Sequence, residues 1–271
     1  MKDTLIAPMI QEKPDRICGQ VERFVMLRGD CLEIMVTLPD NSVDMVFLDP
    51  PFNLKKIYAN KYDDNLSVAE YLDWQYSVVR ESFRILKNTG NFVYHNIPKW
   101  AYKVAFYADN FGEFQNWIAW DNGGSLPTPS RLYPKHYAFL WFSKTNNKTF
   151  NKQYIPIQTC RKCGVSVKDY GGKYKNLKEI DGNKVTVLSD VWTDLHRIKH
   201  RKNKNRDENE LPESIMMRLV EMLTNKNEII LDPFMGSGTT GVACKKLNRR
   251  FIGIDYVNEY VKIAKQRIEA T

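Results

Sequence analysis

The chain has 271 residues, 43% hydrophobic and 27% charged, the balance of a globular protein with a real core. That excludes a disordered tail, a collagen-like fibre and a disulfide-stapled mini-protein, and no apolar run is long enough to span a bilayer. Forty Lys and Arg against 32 Asp and Glu leave a net charge of +8, which favours a polyanionic partner.

Seven segments rich in β-branched and aromatic residues read as strands: 21–27, 43–48, 91–95, 116–120, 137–142, 228–231 and 250–254. Several are apolar almost throughout, as strands buried on both faces are. Helical spacing links Val68, Tyr71, Leu72, Val78, Val79, Phe83 and Leu86, and again Leu211, Ile215, Met216, Leu219, Val220 and Leu223. Pro212 suits a first helical turn, and a last helix runs over about 259–267. Strands alternating with helices predict an α/β fold with a mostly parallel sheet. No helical pattern separates 116–120 from 137–142, so these read as an antiparallel hairpin at one edge.

Residues 144–206 hold 16 Lys and Arg against 5 Asp and Glu, so this stretch of +11 carries the whole positive excess. It has little periodicity and reads as a separate lobe set between strands. Its run 196–206 packs six cations into eleven residues, a pattern suited to a phosphate backbone. Cys160 and Cys163 form one C-x-x-C turn in the same lobe. With His196 and His200 they make a candidate zinc set, the alternative being reduced cysteines in a turn and histidines on a nucleic-acid-facing surface. The five cysteines form no disulfide framework, and the opening MKDTLIAPMIQEKPDR lacks the apolar stretch of a secretory signal. A reducing cytoplasm is the expected compartment.

Two motifs carry chemistry. Asp49-Pro50-Pro51-Phe52 directly follows the strand 43–48, at the strand end where open α/β sheets bind ligands. Prolines fix the backbone and cannot donate. The Asp49 carboxylate and the Pro50 carbonyl remain as paired acceptors beside an aromatic ring. Such a pair can hold both protons of an exocyclic amine while the ring stacks on its base. The second motif, Asp232-Pro233-Phe234-Met235-Gly236-Ser237-Gly238-Thr239-Thr240, follows the strand 228–231 and opens a helix. Glycines there let backbone approach a ligand. Asp255 ends the next strand, 17 residues after Gly238, about where a carboxylate meets ribose hydroxyls. The loop lacks the Gly-Lys-Ser/Thr ending of a phosphate-binding loop, so a neutral or cationic adenosine-type cofactor fits better than ATP.

Together the motifs resemble the amino-methyltransferases of DNA that use S-adenosyl-L-methionine. The order, DPPF early and DPFMGSGTT late, is that of the permuted β-group. The resemblance implies a Rossmann-like methyltransferase sheet of about seven mostly parallel strands, circularly permuted, with an inserted basic target-recognition lobe. The expected division is 21–143 for the catalytic half, 144–206 for the lobe and 207–271 for the cofactor-binding half. It implies Asp49, Pro50, Pro51 and Phe52 as the catalytic set. Asp232, Phe234, Gly236, Ser237, Gly238 and Thr239 would surround the cofactor, with Asp49 on its far side, Asp255 at the ribose, and Asp30 and Cys31 near the adenine. Leu211-Pro212 stands where the family usually has Lys-Pro. Arg131, Lys135, Arg197, Lys199, Arg201 and Lys202 are the expected contacts to double-stranded DNA.

The activity implied is site-specific methylation of a flipped base. Adenine N6 is the first choice, because Asp more often opens the motif in adenine enzymes. Cytosine N4 is the alternative, and a catalytically silent DNA-binding specificity subunit is a reading from another class. An RNA or protein methyltransferase usually shows the reverse motif order. A cognate restriction endonuclease and a second copy of the chain are the candidate protein partners.

Overall fold

The computed structural model describes residues 23–55, 57–58, 62–123, 129–130, 132–157, 178–195 and 210–271. Its centre is an eight-stranded sheet. The strands are β1 (Phe24–Arg28), β2 (Val43–Leu48), β5 (Leu86–Asn96), β6 (Glu113–Asp121), β7 (His136–Ser143), β11 (Val191–Trp192), β12 (Ile229–Asp232) and β13 (Arg250–Asp255). Their spatial order is β1-β13-β12-β2-β5-β7-β6-β11. The first five are mutually parallel. Strand β7 runs antiparallel to both β5 and β6. The predicted hairpin therefore forms, but β7 is inserted inside the sheet, and β11 pairs in parallel with β6 beyond it.

Every residue of β2 is buried, as the uniformly apolar sequence demands of a strand covered on both faces. Val46 and Leu48 enter one core cluster, Met45 and Phe47 the other, following the two-residue alternation of a strand. The one polar residue, Asp44, is satisfied: Lys87 Nζ donates to both its oxygens at 2.8 and 2.9 Å, and the Ile229 amide donates at 2.9 Å. The carboxylate thereby fastens the entry ends of β2, β5 and β12, and without those partners its burial would be costly.

Helices α1 (Cys31–Met35), α2 (Val68–Ile85) and α3 (Pro98–Ala108) cover one face; α4 (Glu213–Leu223), α5 (Thr239–Lys246) and α6 (Asn258–Ala270) cover the other. A capping box of Ser67 and Glu70 starts α2. Its Tyr71, Val78, Val79 and Phe83 are buried, and full burial of such a side chain stabilises by about 1.5–3 kcal/mol. The short helices α1 and α3 have no counterpart in the sequence reading.

Two small sheets complete the described residues. One pairs β3 (Ile57–Tyr58) with β4 (Tyr62–Asp63); the other orders β8 (Tyr154–Pro156), β10 (Asn183–Val187) and β9 (Glu179–Ile180). The latter lies in the stretch expected to form a separate lobe. Part of that stretch joins the main sheet, because Trp192 of β11 is buried among Trp120, Phe139 and Ile215. No described helix is long and apolar enough to cross a membrane.

The order of strands positions the site. After β12 the chain turns into α5 and on to β13; after β2 it turns toward α2 and β5, on the opposite face. The loops that follow β12 and β2 therefore diverge at a topological switch point, where a crevice opens.

Candidate active site

Asp49-Pro50-Pro51-Phe52 leaves β2 at that crevice. The turn is held from behind. The Tyr71 hydroxyl donates to the Pro51 carbonyl at 2.7 Å, and Trp100 Nε1 donates to the Phe52 carbonyl at 2.8 Å. Asn96 Nδ2 in turn donates to the hydroxyls of Tyr71 (3.2 Å) and Tyr94 (2.8 Å). Just beyond the turn, Asn53 and Lys55 adopt left-handed φ of 52° and 59°. The Asp64 carboxylate accepts from the amides of Asn53 and Leu54 at 2.8 and 2.9 Å, which fixes this unusual backbone. Two of the turn's carbonyls are thus occupied, while that of Pro50 has no donor among the described residues. The Pro50 carbonyl is one of the two acceptors singled out in the sequence.

Phe52 is 8% exposed and meets His95 and Tyr137 edge-on, with centroids 5.5 and 5.7 Å apart. His95 is buried and stacks on Phe139 at 4.3 Å. Burial pushes its pKa down to about 3, so the ring is neutral. Its Nδ1 lies 3.1 Å from the Ala138 carbonyl and must carry the proton, since a carbonyl only accepts. His95 is therefore a fixed wall behind Phe52 and no acid-base group at neutral pH.

The loop after β12 is shaped by its own acids. Asp232 accepts from the Phe234 amide at 3.0 Å and from Thr240 Oγ1 at 2.5 Å. Asp255 accepts from the Gly236 amide at 2.9 Å and the Val257 amide at 2.8 Å. Gly238 sits at φ +82°, and a Cβ there would lie 2.7 Å from Ala264 Cβ on α6; only glycine fits both constraints. One turn further along α6, Arg267 Nη1 donates to the carbonyl and hydroxyl of Ser237 at 2.7 and 2.8 Å. It also pairs with Glu210 at 2.8 Å, and Glu210 accepts from Ser237 Oγ at 3.2 Å. Sequence reasoning missed Glu210 and Arg267, which are separated by 57 positions.

Asp30 lies on the same rim. Strand β1 pairs with β13 so that Arg28 faces Asp255, although the two strands stand at opposite ends of the described chain. Asp30 caps α1, its Oδ1 accepting from the amides of Leu32 and Glu33 at 2.8 and 3.2 Å. Cys31 is buried, and mainly through that burial its thiol is pushed up to about 12. It remains an unreactive thiol.

The two loops share one pocket. Asp49, Glu210, Asp232, Phe234, Ser237 and Thr239 all line it, Phe47 and Met235 among the rest, and no Lys or Arg does among the described residues. Arg267 balances the Glu210 carboxylate, and the carboxylates of Asp49 and Asp232 leave the lining acidic, which suits a cationic ligand better than a phosphate. A sulfonium nucleoside meets that requirement, and Asp255 and Asp30 stand one and two strands away from β12.

Of the expected DNA contacts, Lys135 lies on the rim, where its Nζ pairs with Asp121 at 3.0 Å and its side chain stays 61% exposed. Arg131, Arg197, Lys199, Arg201 and Lys202 lie outside the described residues, as do Cys160, Cys163, His196 and His200 of the candidate zinc set. Among the described residues no group of three or more His, Cys, Asp or Glu is placed to hold a metal.

Comparison with known proteins agrees with this architecture. Residues 43–266 match the family described as DNA methylase. The type II methyltransferase M.BamHI of Bacillus amyloliquefaciens is 43% identical over 245 residues, 90% of this chain. This chain spans 56% of that relative's length. The crystal structure of an M1.HpyAVI–SAM complex superposes with a TM-score of 0.60 at 25% identity, covering 90% of this chain and 98% of the other. The PvuII methyltransferase, titled cytosine-N4-specific, shares the fold with a TM-score of 0.64 at 21% identity, over 92% and 89%.

The chain is a Rossmann-like methyltransferase by fold. It belongs to the DNA methylase family, the amino-methyltransferases of DNA, in the β-group order with the acceptor motif ahead of the glycine loop.

Proposed function

We propose that this chain methylates an exocyclic amine of a base in double-stranded DNA, with S-adenosyl-L-methionine as methyl donor. The observation that carries the reading is the single pocket in which Asp49 faces Asp232, Phe234, Ser237 and Thr239. Asp232, Ser237 and Thr239 would hold the methionine part and Asp255 the ribose, with Asp30 and Cys31 toward the adenine. The cofactor supplies an electrophilic methyl group on a sulfonium.

This chain's own residues supply position and charge. The Asp49 carboxylate and Pro50 carbonyl accept the two amine protons and so direct the nitrogen lone pair into the pocket. The target amine is hidden inside the stacked duplex, so the base must first be flipped out, at a few kcal/mol. Phe52 offers a ring edge or face to the flipped base. Catalysis then comes from orientation and fixed dipoles, with no covalent attack by the protein. Lys135, Arg131 and the cations Arg197, Lys199, Arg201 and Lys202 are the proposed phosphate and base contacts, and residues 144–206 the proposed recognition segment. The chain would act in the cytoplasm, alone or beside a restriction endonuclease of matching specificity.

Adenine N6 is the base we assign first, on the aspartate that opens the acceptor motif. Cytosine N4 is the second reading, supported by the shared fold of the cytosine-N4-specific PvuII enzyme. Nucleoside mass analysis of DNA from cells expressing this chain decides between them. N6-methyladenine supports the first, N4-methylcytosine the second, and neither overturns the proposal.

A further inference from the structure

An apolar side chain near the acceptor turn lies almost wholly in water. Leu132, in the connection between β6 and β7, is 93% exposed, and its neighbour Tyr133 is 43% exposed. Both are described residues of a short segment tied to the sheet: the Asn122 amide donates to the Lys135 carbonyl at 3.3 Å, and β7 begins at His136. Strand β6 runs parallel to β5 and β2 through their common neighbours. Its far end therefore opens on the same edge of the sheet as Asp49. Tyr137, five residues after Leu132, touches Phe52 at 5.7 Å between centroids. Five residues span at most about 17 Å, so Leu132 stands within one or two base-pair diameters of the acceptor turn.

A lone exposed leucine on a protein surface is unremarkable. This one is different in placement. It follows Ser130, whose φ of 61° turns the chain sharply, and it precedes Pro134, which stiffens it. Exposed Lys135 lies three residues on, and Arg131 adjoins it in sequence. An exposed apolar side chain flanked in sequence by cations, on the sheet edge that carries the acceptor turn, is suited to act as a wedge. Apolar side chains in that role slide between base steps while the flanking cations hold the phosphates.

On the reading of this chain as a DNA methyltransferase, we infer that Leu132 enters the duplex and fills the gap left by the extruded base, with Tyr133 stacking beside it. The side chain then trades its exposure to water for the apolar interior of the base stack. It stabilises the flipped state and has no role in the methyl transfer itself. Leu132→Ala removes the wedge without disturbing the fold, since Leu132 buries almost nothing in the free protein.

The test uses the full-length protein, S-adenosyl-L-methionine and short duplexes containing the methylated site found by nucleotide-resolution profiling. Single-turnover methylation is measured on the perfect duplex and on one with an abasic site opposite the target base, which already lowers the cost of extrusion. We expect Leu132→Ala to slow the perfect duplex by at least about tenfold and to come within twofold of the unmodified protein on the abasic duplex. Leu132→Phe should retain most of the rate. Unchanged rates on the perfect duplex, or an equal loss on both duplexes, overturn the wedge and leave the proposed function standing. An unmodified protein inert on every duplex overturns the function and the wedge with it.

Discussion

In the loop after β12 a missing side chain lets the backbone pack closely on α6; in the turn after β2 what is missing is donors. Gly238 makes room for Ala264, and Asp232 and Asp255 use their carboxylates inward, on Phe234, Thr240, Gly236 and Val257. The acceptor turn reverses this. Pro50 and Pro51 cannot donate, Tyr71 and Trp100 occupy the carbonyls of Pro51 and Phe52, and Asp49 lines the pocket. The glycine loop is thus shaped by acids bonded to backbone amides around it, and the acceptor turn by neighbours that hold its carbonyls from behind. The proposed binding surface and the proposed reacting surface meet in one pocket, each held by a different set of partners.

That contrast predicts that the two sides can be damaged separately. Asp49→Ala should lower the methyl-transfer rate by about 10²–10³-fold or more, the size seen when one preorganised electrostatic contact is lost. Calorimetric affinity for S-adenosyl-L-methionine should change far less, and equal losses in both would erase the distinction. Gly238→Ala forces a Cβ to 2.7 Å from Ala264 at a φ of +82°. It should destabilise the protein by about 1–3 kcal/mol and weaken cofactor binding, read as a lower Tm and a higher Kd. An unperturbed Tm would show that α6 yields at that point.

Smaller effects test the supports. Tyr71→Phe removes the bond to the Pro51 carbonyl and a partner of Asn96, at about 1–2 kcal/mol. Its signature should be a lower rate with unchanged cofactor affinity, measured by single-turnover kinetics beside titration. The smallest effect at neutral pH belongs to His95, whose pKa falls from 6.5 to about 3 on burial. Above pH 6.5 the ring is neutral folded or unfolded, and nothing is lost. Below 6.5 the unfolded chain binds the proton first, so stability should fall by up to about 1.4 kcal/mol per pH unit until about pH 3. His95→Gln should flatten this part of the slope in urea unfolding followed against pH, and an unaltered slope would place the acid sensitivity elsewhere.

The sheet was legible because its strands declare themselves locally. VDMVFL is apolar in both parities except for Asp44, and that is what burial on two faces requires. The two motifs were legible because each directly follows such a strand. What escaped has no local signal. Helix α3 is so rich in aromatics that its 3.6-residue period is blurred, and α1 has five residues. Strand β11 is two residues long and exists because Trp192 finds a hole beside Trp120 and Phe139. The Glu210–Arg267 pair and the hold of Asp64 on Asn53 join positions distant in the chain, which pattern alone does not connect. Lys135 was expected at DNA and is found on the rim; its pairing with Asp121 depends on the β6–β7 register and was not visible in the sequence.

The account stands on methyl transfer to an amine held by the oxygens of Asp49 and Pro50, from a donor held at the glycine loop. Its most direct test is mass spectrometry of nucleosides from duplex DNA incubated with the purified protein and methyl-deuterated S-adenosyl-L-methionine, alongside Asp49→Ala. The predicted result is deuterated methyl on adenine N6 or cytosine N4, absent or nearly so with the variant. Label on a ring carbon, no label in DNA, or equal labelling by Asp49→Ala would contradict it.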